Sequence, residues 1–133
     1  MIVFDTSAVI DFLHGGTRTK SVIERTESSG EGVGVTAVSW FELLTPIHHR
    51  RLAKEEADVR SFLSRCEILQ LDAASAEEAS RIMGHLLRLG KPVNAFDALI
   101  AGMAVSRRAD AIATRDRDFQ EVSKVADIKV EMI

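Results

Sequence analysis

The run Ile2-Val3-Phe4-Asp5-Thr6-Ser7 sets the reading of the whole chain. Three consecutive apolar residues form the pattern of a strand buried on both faces, and the run stops at a carboxylate, so Asp5 stands at a strand's carboxyl end. Thr6 or Ser7 then supplies the cap for a short helix, Ala8 to Leu13, which Gly15-Gly16 stops. The same grammar recurs downstream. A helix from Thr17 to Thr26 precedes the Ser28-Ser29-Gly30 turn, and Gly32-Val33-Gly34-Val35-Thr36 reads as a second inner strand whose glycines mark close approach of another backbone.

A helix follows at once, Val38 to Ile47, with Val38, Phe41, Leu44 and Ile47 on one face, Glu42 in its first turns, and Pro46 expected to kink or end it. His48-His49-Arg50-Arg51 is a compact basic connection, either a solvated loop or an edge that contacts phosphate. Ala53 to Arg65 is amphipathic with Val59, Phe62 and Leu63 inward, and Glu67 to Leu71 alternates like an edge or half-buried strand. Helical periodicity resumes from Ala76 to Leu89 through Ala79, Ile82, Met83, Leu86 and Leu87, and Gly90-Lys91-Pro92 closes it.

In Val93 to Ala104, Asn94 caps a helix in which Phe96, Leu99, Ile100 and Met103 recur as a core-facing stripe, while Ala98, Ala101, Gly102 and Ala104 permit close approach to other backbone. Asp97 falls at the third position after that cap. Taken alone it has a sufficient explanation as a helix-start acid, stabilised by about 0.3 to 1 kcal/mol. Ala111-Ile112-Ala113 is a third short inner strand that runs into Thr114-Arg115-Asp116-Arg117-Asp118-Phe119, and Ile128 to Glu131 is a last strand near an edge. Strands alternating with helices imply an α/β fold, a three-layer α/β/α arrangement with a mostly parallel central sheet, in one domain over residues 1–133.

The composition narrows the class of function. At 133 residues, with 46% apolar and 28% charged residues, the chain has the make-up of an ordinary soluble domain, and no apolar run approaches the roughly 20 residues of a membrane span. The opening Met-Ile-Val-Phe-Asp does not resemble a signal peptide, so the expected compartment is the cytoplasm. Cys66 is the only cysteine, which excludes an intrachain disulfide and a cysteine-based zinc cluster, and it is expected to pack as a small hydrophobe. The net charge of -3 argues against a nucleic-acid partner unless a metal neutralises some of the acids.

The placement of the acids supplies that condition. Asp5 and Asp116 each follow a strand, Glu42 lies in the helix after another, and Asp97 joins them if its helix start faces the same crevice beyond the carboxyl ends of the strands. At about 5 Å and an effective dielectric near 20, each like pair repels by about 3 kcal/mol, so such a cluster takes up protons or recruits cations. Hard divalent ions, Mg2+ or Mn2+, one or two per site, answer both the crowding and the negative net charge, and they serve phosphodiester hydrolysis.

Four blocks carry a resemblance: Val3-Phe4-Asp5-Thr6-Ser7-Ala8, Ser39-Trp40-Phe41-Glu42-Leu43, Phe96-Asp97-Ala98-Leu99-Ile100-Ala101, and Ala113 to Phe119. Together, in this order, the chain resembles the PIN-domain ribonucleases, and within them the VapC-type toxins of toxin-antitoxin pairs. The resemblance implies that Asp5, Glu42, Asp97 and Asp116 form a metal-binding catalytic site, with Asp5, Asp97 and Asp116 as ligands and Glu42 and Asp118 as further candidates. Thr6, Ser7 and Thr114 would be supporting polar groups, and Arg115 and Arg117 either hold substrate phosphate or balance the neighbouring acids. It further implies an RNA substrate, a homodimer, and a small antitoxin that inserts a segment into the active-site groove.

Two rivals have distinct signatures. An aspartyl-phosphate transferase built on Asp5 would need an acid at position 7, where the chain has Ser7, and a receiver-like domain would need an acidic pair, where Phe4 precedes Asp5. A non-catalytic PIN-like module for dimerisation or RNA binding would have no need of all four acids.

Overall fold

Alternation decides which way each inner strand faces. In β1 (Ile2–Phe4), Ile2 and Phe4 join one hydrophobic cluster while Val3 joins the other, so a three-residue strand bonds both sides of the molecule. The computed structural model describes residues 1–133. After β1 come α1 (Thr6–Leu13), α2 (Thr17–Ser28), β2 (Val33–Thr36), α3 (Ala37–Arg50), α4 (Ala53–Leu63), β3 (Glu67–Leu69), α5 (Ala73–Arg88), α6 (Ala95–Ser106), β4 (Ala111–Thr114), α7 (Asp118–Ser123) and β5 (Lys129–Met132). The sheet has the order β3-β2-β1-β4-β5 with every neighbouring pair parallel. This is the expected three-layer α/β/α fold, with a sheet that is wholly rather than mostly parallel.

The two cores divide the helices. Residues of α1, α2, α3 and α4 pack with Ile2, Phe4, Val33, Val35, Ala111 and Ala113 on one face, and those of α5, α6 and α7 pack with Val3, Leu69 and Ile112 on the other. Gly34 in β2 leaves the room that Leu69 and Met1 fill, since a Cβ there would lie 2.9 Å from Leu69 Cδ1. Gly32 meets nothing within 4 Å, so its expected close approach is not found. The small residues of α6 do what they promise: a Cβ on Gly102 would fall 2.6 Å from the Cα of Ala79 in α5. No helix is long and apolar enough to cross a membrane.

Several expectations need correction. Phe41 and Phe96, assigned to core stripes, are 57% and 39% exposed, and Leu87 is 58% exposed. Each lies at the margin of an apolar stripe, where one step of about 100° turns a side chain from core to solvent. Helix α3 continues four residues beyond Pro46 and includes His48, His49 and Arg50; Arg51, at φ 54°, ends it in the left-handed region. That proline is tolerated on an exposed helix face. Cys66, by contrast, packs as expected against the first core, half-buried and with its thiol donating to the Phe62 carbonyl at 3.3 Å. The short helix α7 was not anticipated, its six residues being too few to display a period.

Candidate active site

The sheet order places a topological switch at β1, whose neighbours β2 and β4 are reached by connections that leave in opposite directions. A crevice opens beyond the carboxyl ends of the strands at such a point. Asp5 is the first residue past β1, Asp116 lies two past β4, and Glu42 is carried by the helix that directly follows β2. Asp97 sits in the first turn of α6, behind the Asn94 cap, whose side chain accepts from Phe96 N at 2.8 Å.

Asp5 is 3% exposed, and three donors hold its carboxylate. Its Oδ1 accepts from the Ala8 amide at 2.9 Å and the Ser7 hydroxyl at 2.7 Å, and its Oδ2 accepts from the Thr114 hydroxyl at 2.5 Å. Asp5, rather than Thr6 or Ser7, is therefore the cap of α1. Burial pushes its carboxyl above the ordinary aspartate range, against the pull of the Thr114, Ala8 and Ser7 donors.

The supporting hydroxyls form two relays. Thr114 Oγ1 also accepts from the Asp116 amide at 2.9 Å, so one hydroxyl ties Asp5 to the loop that carries Asp116. Ser7 Oγ accepts from the Arg115 amide at 2.9 Å and binds the same loop a second time. On the other side Thr6 Oγ1 donates to Glu42 Oε1 at 2.7 Å and lies 3.0 Å from Ser39 Oγ. Asp116 Oδ1 in turn accepts from the Asp118 amide at 2.9 Å, which folds the loop into the start of α7.

Asp97, Asp116 and Asp118 each offer a carboxylate oxygen, and these oxygens all lie within 4.8 Å of one another. None of the three is in an ion pair with a basic side chain. Desolvation, followed by the charges of Asp116, Asp5 and Glu42, pushes the Asp97 carboxyl up to about 7. Thus all four acids lie near one another, although the tightest oxygen cluster is drawn from Asp97, Asp116 and Asp118. An all-oxygen donor set of this charge suits a hard divalent cation and would not suit a soft one.

The two arginines differ. Arg115 is held by Asp11, its Nη1 lying 3.1 Å from Asp11 Oδ1, whereas Arg117 is exposed and has no ion pair. Sequence reading missed Asp11, which looks like any polar helix residue until the fold brings Arg115 to it, and Ser39, whose hydroxyl meets Thr6 across α1 and α3.

Comparison with known proteins gives a consistent picture. A family model described as PIN domain matches residues 2–125. The tRNA(fMet)-specific endonuclease VapC of Shigella flexneri is 32% identical over 103 residues, spanning 77% of this chain and 78% of that protein. The tRNA(fMet)-specific endonuclease VapC of Salmonella typhimurium is 29% identical over 107 residues, spanning 79% and 80%. Among solved structures, VapBC2 from Rickettsia felis bound to a promoter DNA fragment superposes with a TM-score of 0.86 at 18% identity, over 100% of this chain and 99% of that one. DNA-bound VapBC from Salmonella typhimurium gives a TM-score of 0.80 at 26% identity, over 98% and 96%.

Proposed function

The chain belongs to the PIN-domain family, and from that premise we propose that it is a ribonuclease, the toxin of a toxin-antitoxin pair, that hydrolyses RNA phosphodiester bonds with Mg2+ or Mn2+. Residues 1–133 act as one PIN-like domain. The observation that carries the reading is the convergence of Asp5, Glu42, Asp97 and Asp116 from four distant segments, leaving Asp97 with three like charges around it and no basic partner. A fold that kept these acids merely as caps would not bring them together at such a cost.

Asp97 and Asp116 would hold the cation, with Asp118 completing the group of three and Asp5 and Glu42 reaching it from the sides of β1 and α3. When bound, the cation supplies Lewis acidity for phosphodiester hydrolysis, from one ion or two. The chain's own residues do the rest. Thr114 and Ser7 fix the Asp5 carboxylate and the Arg115 backbone together, so the acids on β1 and β4 keep their spacing. Thr6 holds Glu42 in one orientation. Arg117, free of ion pairs, is placed to meet a substrate phosphate, while Arg115 serves the same purpose only to the extent that Asp11 releases it.

A small antitoxin is the expected protein partner, since the neighbours of known structure are VapBC assemblies. A groove of about 360 Å³ between α1, α3 and α4, lined by Ile10, Leu13, Leu43 and Val59 and also by the charged Glu42, Arg50, Lys54 and Asp58, would take an inserted amphipathic segment. A homodimer is expected on the same grounds. The test is a digest of purified RNA, with initiator tRNA as the first substrate because the relatives named above act on it. Cleavage should require Mn2+ or Mg2+, stop with EDTA, and be lost in Asp97→Asn. Cleavage that persists in EDTA rejects the metal assignment.

A further inference from the structure

Two of the chain's six phenylalanines face solvent, and those two touch each other. Phe41 and Phe96 are 57% and 39% exposed, whereas Phe4 and Phe119 are at 0%. Their ring centroids are 5.7 Å apart with an interplanar angle of 72°, an edge-to-face pair bridging α3 and α6. Each stands one residue before an acid of the candidate site, Phe41 before Glu42 and Phe96 before Asp97. The pair therefore joins the two helix turns that carry Glu42 and Asp97, whose charges lie close to each other.

We propose that Phe41 and Phe96 form a stacking platform for a nucleobase next to the scissile phosphate, which makes them substrate-positioning residues. This rests on the ribonuclease reading. The surroundings select a base over other occupants. With the acids assigned to the cation and to the phosphate it would hold, the adjoining rings are left to the neutral face of a base, and an exposed aromatic ring offers stacking to every base alike. Neither ring is needed by the core, whose aromatic packing is complete without them: Phe4 and Phe12 pack on Phe62, with ring centroids 6.4 and 5.1 Å apart. A platform of this kind favours single-stranded or looped RNA, in which bases are free to splay.

The test compares the Phe41→Ala, Phe96→Ala and Phe41→Trp proteins with the parent, all carrying Asp5→Asn so that no RNA is cut. Each is titrated in Mn2+ with labelled single-stranded RNA of mixed sequence and with abasic ribose phosphate of the same length. Each alanine variant should bind RNA roughly fivefold or more weakly, Phe41→Trp should bind as the parent does, and the abasic strand should not distinguish the four proteins. Equal RNA affinity in all four, or an equal loss on the abasic strand, overturns the platform. So does a fall in particle mass in the alanine variants, which would assign the rings to an interface between copies. Cleavage assays without Asp5→Asn separate the two readings. A parent that binds RNA through these rings yet never cuts it defeats the nuclease and reduces the rings to an RNA-binding surface with no positioning role, whereas unchanged kcat/KM in both alanine variants defeats the platform alone.

Discussion

Asp5 and Asp97 are both held above the ordinary aspartate range, but by different balances, and so they respond differently to substitution. Asparagine at position 5 can still accept from Ala8 and Ser7, and its amide can donate to Thr114 once that hydroxyl turns round. Asp5→Asn should therefore cost about 1 kcal/mol or less while abolishing cleavage, whereas Asp5→Ala, which strands three donors, should cost about 2 kcal/mol or more in urea unfolding. For Asp97 the sign follows from its shift from 3.8 to about 7. A carboxyl raised on folding favours the folded state below its unfolded value and gives that contribution up as pH rises through the folded value. The Asp97 contribution to the stability of the metal-free parent should thus fall between pH 4 and 7, and Asp97→Asn, which cannot ionise, should gain on the parent in Tm from pH 4 to pH 8; parallel melting curves would refute this. Solvent screening of a half-exposed group keeps the effect modest. That Asp5, Glu42, Asp97 and Asp116 come close together was readable from their positions after strands and at a helix start. That Thr114 and Ser7 tie Asp5 to the Asp116 loop was not, because hydroxyls 107 or more residues away from their partners carry no local signature.

At the scale of elements, the inner strands were legible because short runs of Val, Ile, Phe and Ala bounded by turns leave few alternatives, and a mostly parallel sheet followed from alternation with helices, although not that its last strand is parallel too. Helix faces were less so. The period of α3 and α6 identifies an apolar stripe but not its width, and the sheet decides that Leu44 and Ile100 turn inward while Phe41 and Phe96 turn out. The packing of α5 on α6 depends on Gly102, and it offers a direct test. A methyl group there has to displace Ala79 backbone, which is not free to move within a helix, so Gly102→Ala should destabilise by about 1 to 3 kcal/mol despite alanine's better helix propensity. Denaturant midpoints showing a gain would mean that the helices separate easily. The α4–β3 turn gives a second check. Burial lifts the Cys66 thiol to about 11, so at pH 8 only about one molecule in a thousand carries the thiolate, and alkylation by iodoacetamide should be far slower than for a free thiol.

For the molecule as a whole, the question is how a protein of net charge -3 folds around its own acids and still meets an anionic polymer. Both difficulties have one resolution. The basic residues near the site provide too little of it, since Arg115 is occupied by Asp11 and Arg117 alone is left free of ion pairs. A divalent cation would lower the repulsion that adds to burial in raising Asp97 and would leave the crevice less negative toward phosphate. Because the acids come from β1, α3, α6 and the loop after β4, a cation bound among them joins elements that are remote in the chain, and its binding energy becomes folding energy. Mn2+ at a hundredfold excess over its Kd should then stabilise the parent by about 2.7 kcal/mol, a rise of several degrees in Tm that EDTA reverses. Asp97→Asn should forfeit most of that gain, so at pH 8 the parent should rise in Tm relative to it as Mn2+ is added. Calorimetry in which Mn2+ raises both proteins equally would place the ion elsewhere on the surface and detach the acids from the reaction.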